Sequence, residues 1–133
     1  MMVEDDPDDR GIYGTILCYN GFDVLLVPDG AAALRCAELY RPDLILLDLG
    51  LPDADGLDIC RALRKRSLAP PAPIIALSGF SQSRMERRAR EAGCVCYVEK
   101  PTNPVHVLHR IEDILGRPPA PGDGTQPRII PFV

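Results

Sequence analysis

Apolar residues fall into short runs and helical stripes that alternate along the chain. Leu44, Ile45, Leu46 and Leu47 form an unbroken run, bounded by Pro42 and Pro52 and too short for a typical helix. Such a run suits a strand covered on both faces, as in a parallel sheet flanked by helices. Asp23 to Val27, Ile74 to Leu77 and Val95 to Val98 predict further strands, and a very short one runs from Met1 to about Val3. Between them, apolar residues recur at helical spacing: Ile12, Tyr13, Ile16 and Leu17; Ala33, Leu34, Ala37 and Tyr40; Leu57, Cys60 and Leu63; Met85, Ala89 and Ala92. Val107, Leu108, Ile111, Ile114 and Leu115 make the strongest amphipathic stripe. Asp6-Pro7, Asp29-Gly30, Ser81 and Asn103-Pro104 read as helix starts, and Gly21, Gly93 and Gly116 as stops. Gly11 and Gly14 weaken the first helix, each by about 1 kcal/mol against Ala. Five strands alternating with five helices predict a doubly wound α/β domain over residues 1 to 116, its strands parallel through right-handed crossovers.

Composition narrows the class. A chain of 133 residues with 46% hydrophobic and 26% charged residues is an ordinary globular domain with a real core. Its net charge of −4 argues against direct nucleic-acid binding and against an anionic membrane surface. No apolar run approaches a membrane span and no signal peptide is visible, so a soluble, cytoplasmic protein is expected. Five cysteines, Cys18, Cys36, Cys60, Cys94 and Cys96, argue against a disulfide framework and read as small core residues. Cys94 and Cys96 are expected to share one strand face. Residues 117 to 133 are rich in Pro and Gly and read as a mobile tail with no output domain, although its apolar end, Ile129 to Val133, has the character of a docking segment.

The chemistry lies at the strand ends. In an open α/β sheet, ligands bind outside the carboxyl ends of the strands. That edge receives Glu4 and Asp5 from the first strand, Asp48 from the third, Ser78 from the fourth and Lys100 from the fifth. Close carboxylates repel one another, and a divalent cation is the natural remedy. Oxygen donors favour magnesium, with manganese as a substitute. A nucleophilic carboxylate, a metal, a hydroxyl and a mobile cation are the parts needed for phosphoryl transfer to Asp48.

With VEDD after the first strand, LILLDLGLPDADG around the third, ALSG after the fourth and YVEKP at the fifth, the sequence resembles the receiver domain of bacterial two-component response regulators. Ser78 and Lys100 follow Asp48 by 30 and 52 positions, spacings similar to the family's own. The resemblance covers roughly residues 2 to 116 and implies a flavodoxin-like (βα)5 fold with strand order 2-1-3-4-5. It implies that Asp48 is the phosphoacceptor of a sensor histidine kinase or histidine phosphotransfer protein in two-component or phosphorelay signalling. Magnesium would be held by Asp5 directly, Glu4 through water, Asp48 and the Gly50 backbone carbonyl. Asp6, Asp8 and Asp9 are rival carboxylates, with Asp6 better suited to capping the helix. Ser78 and Lys100 would contact the phosphoryl oxygens, Gly79 would leave donor access open, and the Lys100–Pro101 bond would be cis. Tyr97 would be the aromatic switch, turning inward as Ser78 moves and remodelling the surface of the fourth helix, fifth strand and fifth helix for a downstream protein target. Such a protein is not a turnover enzyme.

Other readings compete. A phosphohydrolase with an aspartyl-phosphate intermediate usually has a second Asp where Gly50 stands. A flavin-binding relative would need a phosphate cradle where EDDPDD would repel one. A receiver-like domain working through contacts alone has no need of all five site residues. The basic fourth helix, with Arg84, Arg87, Arg88 and Arg90, reads as a solvated face, and His106 and His109 as surface residues. The short first strand leaves three explanations open: a start lying further upstream, a compensating tail, or a homodimer.

Overall fold

A computed structural model describes residues 1–66, 71–79, 83–100, 102–118 and 127–130. Strands β1 (Met2–Val3), β2 (Val24–Val27), β3 (Ile45–Asp48), β4 (Ile74–Ser78) and β5 (Cys96–Glu99) alternate with helices α1 (Pro7–Tyr19), α2 (Gly30–Tyr40), α3 (Gly56–Lys65), α4 (Ser83–Glu91) and α5 (Pro104–Leu115). A short β6 (Ile129–Ile130) follows. All pairings are parallel, and the sheet order is β5-β4-β3-β1-β2-β6. The expected 2-1-3-4-5 arrangement is present, with one strand added outside β2.

The apolar runs become fully buried strands because the sheet is covered on both faces. Val3, Ile45, Leu47, Ile74 and Ala76 point into one cluster with α2, α3 and the end of α4. Met2, Leu46, Ile75 and Leu77 point into the other, with α1 and α5. Each fully buried Leu or Ile contributes roughly 2 kcal/mol. Helix starts follow the capping chemistry: side chains of Asp6, Asp29 and Asn103 accept backbone N–H groups of their first turns. Gly93 closes the turn after α4 at φ +110, a conformation that L side chains rarely adopt. Ser81, the expected cap of α4, lies outside the described residues.

Several features differ from the sequence expectation. Ile12 flanks the buried Tyr13 and Leu17 face of α1, and Ile114 and Leu115 lie in the last turn of α5; all three are exposed rather than core-facing. Part of the Pro/Gly-rich tail is docked rather than mobile: Ile129 and Ile130 pair with Val24 and Leu25. Its approach is pinned by Asp23, whose carboxylate accepts the Arg128 N–H at 2.8 Å, and by the Cys18 thiol, which donates to the Pro127 carbonyl at 3.3 Å. Side-chain and backbone pairing of this kind is invisible in a low-complexity sequence. Tyr40, placed on the core face of α2, is instead 44% exposed, because it lies in the last turn, beyond the covering elements. Val95 is likewise exposed, since β5 begins only at Cys96. For the same reason Cys94 and Cys96 do not share a face: Cys94 enters the α3 side of the core and Cys96 packs on the α5 side.

Beneath Met1 lies a cleft of about 600 Å³, lined by residues including Leu17, Phe22, Val24, Leu44 and Ile111. The Met1 ammonium donates to the Leu44 carbonyl at 2.9 Å, and burial pushes it down to about 5 against the pull of Asp43.

Candidate functional site

Parallel pairing in one register brings four strand ends together. Asp48 lies opposite Leu77 at the tip of β3, Ser78 opposite Glu99, and Lys100 follows at once, its N–H donating to the Ser78 carbonyl at 2.7 Å. Glu4 follows β1 and donates its N–H to the Val27 carbonyl at 3.0 Å. Among the described residues, Glu4, Asp48 and Ser78 are the buried polar ones. Burial of carboxylates is costly unless every oxygen is engaged. Here they are. The Lys100 ammonium donates to Glu4 Oε2 at 2.7 Å and to Asp48 Oδ2 at 3.1 Å. Glu4 Oε1 accepts the Asp6 N–H at 3.2 Å, and Asp48 Oδ1 accepts the Gly50 N–H at 2.9 Å.

The electrostatics follow from this packing. Burial pushes Glu4 up to about 7; the Lys100 hydrogen bond works against it, and the neighbouring Asp48 adds to it. Burial alone would lower Lys100, but its bonds to Glu4 and Asp48 outweigh that and hold it above its ordinary value. One cation thus neutralises two buried carboxylates.

Asp5 is exposed, yet oxygens of Glu4, Asp5 and Asp48 can all lie within 4.8 Å of one another. Three carboxylates converging without sulfur or imidazole suit a hard divalent cation such as magnesium. Of the rival carboxylates, Asp6 caps α1, while Asp9 stands 3.9 Å from Lys100 at the margin of the cluster. Gly50 and Gly79 are exposed beside the cluster, and a side chain at Gly79 would meet nothing within 4 Å. Tyr97, on β5, is half-buried against the α3 side of the core. Pro101 lies outside the described residues. His106, His109 and the four arginines of α4 are exposed, and Arg90 pairs with Glu86 at 3.2 Å.

Three supporting residues were not singled out from the sequence. Gly56 opens α3 so close to the loop after Asp48 that a Cβ there would stand 2.4 Å from Leu49 Cα. Asp53 accepts the N–H groups of Gly30 and Ala31 at 3.0 and 3.1 Å, tying that loop to the start of α2. Arg10 reaches back to the carbonyls of Glu4 and Asp5 at 2.8 and 3.0 Å, steadying the acidic loop. The Asp-Gly pair before a helical stripe was a legible signal for Gly56. The other two depend on contacts between distant or irregular segments.

Comparison with known proteins bears on this site. The family model described as response regulator receiver domain matches residues 1–112. The polar-differentiation response regulator DivK of Brucella anthropi is 31% identical over 116 residues, covering 87% of this chain and 94% of DivK. The BeF3-activated receiver domain of Klebsiella pneumoniae RstA superposes with a TM-score of 0.76 at 32% identity, covering 84% of this chain and 92% of that one. The receiver domain of the sensor histidine kinase PA1611 of Pseudomonas aeruginosa, with a magnesium ion coordinated in its active-site cleft, gives the same TM-score, identity and coverage. No helix among the described residues is long and apolar enough to cross a membrane.

Proposed function

The chain belongs to the response regulator receiver domain family of two-component signalling, and from that premise we propose that Asp48 is its phosphoacceptor. Receiver domains are phosphorylated by histidine kinases or histidine phosphotransfer proteins, and they are generally not turnover enzymes. The observation that carries the reading is the placement of Asp48: a nearly buried carboxylate on a rigid strand tip, with Lys100, Glu4 and Asp5 around it. A carboxylate oxygen of Asp48 attacks phosphorus as the donor's nitrogen–phosphorus bond breaks. The leaving imidazole nitrogen keeps the electron pair and takes up a proton.

The chain's own groups then have distinct tasks. Gly50 N–H fixes one Asp48 oxygen, which limits rotation of the nucleophile. Lys100 is already within 3.1 Å and moves with the developing charge onto a phosphoryl oxygen, aided by the Ser78 hydroxyl. The open space at Gly79 admits the donor. Glu4, Asp5, Asp48 and the Gly50 carbonyl would hold magnesium, with manganese able to replace it; when bound, the ion neutralises the crowded oxygens of acceptor and donor. As Ser78 turns toward the phosphoryl group, Tyr97 fills the vacated space, and the α4-β5-α5 surface changes for a protein target.

Intact-mass measurement after incubation with acetyl phosphate tests the reading. One phosphoryl adduct is expected with magnesium, and none with chelator or in Asp48→Asn. An adduct that persists in Asp48→Asn places the acceptor elsewhere.

A further inference from the structure

Outside the phosphoryl site, two cysteines meet inside the core. Cys60, in the middle of α3, and Cys94, in the connector between α4 and β5, have their sulfurs 3.2 Å apart. The Cys60 thiol also donates to the Ala92 carbonyl at 3.3 Å. Cys36 is also buried but has no such sulfur contact, while Cys18 and Cys96 are only partly buried. We propose that Cys60 and Cys94 form an oxidisable dithiol, closed by peroxide to a disulfide that ties α3 to the connector leading into β5.

Several observations support closure here. A disulfide requires about 2.0 Å between sulfurs, so the two must approach by roughly 1 Å. Cys94 lies in the connector beside Gly93 at φ +110, its N–H bonded to the Ala89 carbonyl at 3.0 Å, and Cys60 lies within a helix, so the approach falls to side-chain rotation. The surrounding charge also suits the chemistry. Arg64 donates to the Gly93 carbonyl from Nε at 3.1 Å and from a terminal nitrogen at 3.0 Å, which holds a guanidinium beside the pair. The hydrogen bond from Cys94 lowers Cys60 below the ordinary thiol range, against burial and with help from Arg64 and Arg61, while the same bond and burial raise Cys94.

The reaction balances with peroxide as the oxidant. One cysteine sulfur attacks a peroxide oxygen and becomes a sulfenic acid, releasing water. The second sulfur displaces hydroxide from the sulfenic sulfur, forming the S–S bond; its proton leaves in a second water. The two sulfurs lose two electrons together and peroxide gains them. The consequence is local: the tether restrains the α4–β5 face on which Tyr97 lies.

The test uses the wild-type protein. After prolonged exposure to dilute hydrogen peroxide, free thiols are alkylated in denaturant and the protein is digested without reductant. Five alkylated thiols before oxidation should fall to three, with one linked peptide pair containing Cys60 and Cys94, and dithiothreitol should restore five. The linked form should also show a higher denaturation midpoint than the reduced form. Five alkylated thiols after oxidation, a link between other cysteines, or sulfinic acids at Cys60 and Cys94 without a link would overturn the proposal. Cys94→Ser should abolish the link, and the wild-type peptide map stands independently of how that variant folds.

Discussion

The two edges of the sheet are built to different standards. At the carboxyl edge, strand ends deliver Glu4, Asp48, Ser78 and Lys100 into a small cluster. There, the oxygens of both buried carboxylates are bonded. At the amino edge, β1 begins at Met2, an ammonium is buried against a carbonyl, and a cleft of about 600 Å³ remains. Both edges belong to the same strands, so the contrast comes from what each strand's flanking residues contribute. Precision is concentrated where charge must be placed. The amino edge needs only enough packing to hold the strands in register, and Met2 and Val3, each paired on both sides, provide it.

The largest expected effect comes from removing the cation that serves both carboxylates. Lys100→Met leaves Glu4 and Asp48 buried without their shared partner, and in magnesium-free buffer it should cost about 3 kcal/mol in urea denaturation. That figure sits at the low end of the range because Glu4 can take up a proton instead. Added magnesium should recover much of the loss. A variant as stable as wild type would show that the carboxyl edge is no more finely balanced than the other.

A second effect separates the edges by pH. Folded Glu4 keeps its proton to about pH 7, against an ordinary value of 4.5. Between those values the folded state binds the extra proton, so stability falls as pH rises. Met1 runs the other way: about 5 when folded against 8.0, so the unfolded chain binds the extra proton and stability rises with pH over that window. Glu4→Gln keeps a hydrogen-bond acceptor for Lys100 but removes the first slope, on the order of 2 kcal/mol across its window. Denaturation curves between pH 4.5 and 8 without magnesium should then show only the rising contribution of Met1.

The smallest effect belongs to β6. Ile130 is partly buried and Ile129 is 46% exposed, so Ile130→Ser should cost about 1 kcal/mol. Phosphoryl acceptance should be unchanged, because β6 lies outside β2 while Asp48 ends β3. Loss of acceptance in this variant would mean that the tail supports the site across the sheet.

Legibility in the sequence followed the same division. Strands β3 and β4 could be read because Leu44 to Leu47 and Ile74 to Leu77 must be buried on both faces, and their tips had to share an edge. That logic alone brings Glu4, Asp48, Ser78 and Lys100 together at one edge. It did not reveal that Lys100 bridges Glu4 and Asp48, since a bond between residues 96 positions apart has no local signature. Nor did it reveal β6, whose two isoleucines follow a stretch with no periodicity. The Cys60–Cys94 contact was not legible because Cys94, read as alternating with Cys96 along a strand, lies two residues before that strand begins.

Titration of isotope-labelled protein with magnesium and beryllium fluoride, followed amide by amide by NMR, tests the division of labour most directly. The expected result is a set of shifts at Glu4, Asp5, Asp48 to Gly50, Ser78, Gly79 and Lys100, extending to Tyr97, with Phe22, Asp23, Leu44 and Leu115 at the amino-edge cleft unmoved. Shifts confined to the cleft, or none at the carboxyl edge in a folded protein, would contradict it.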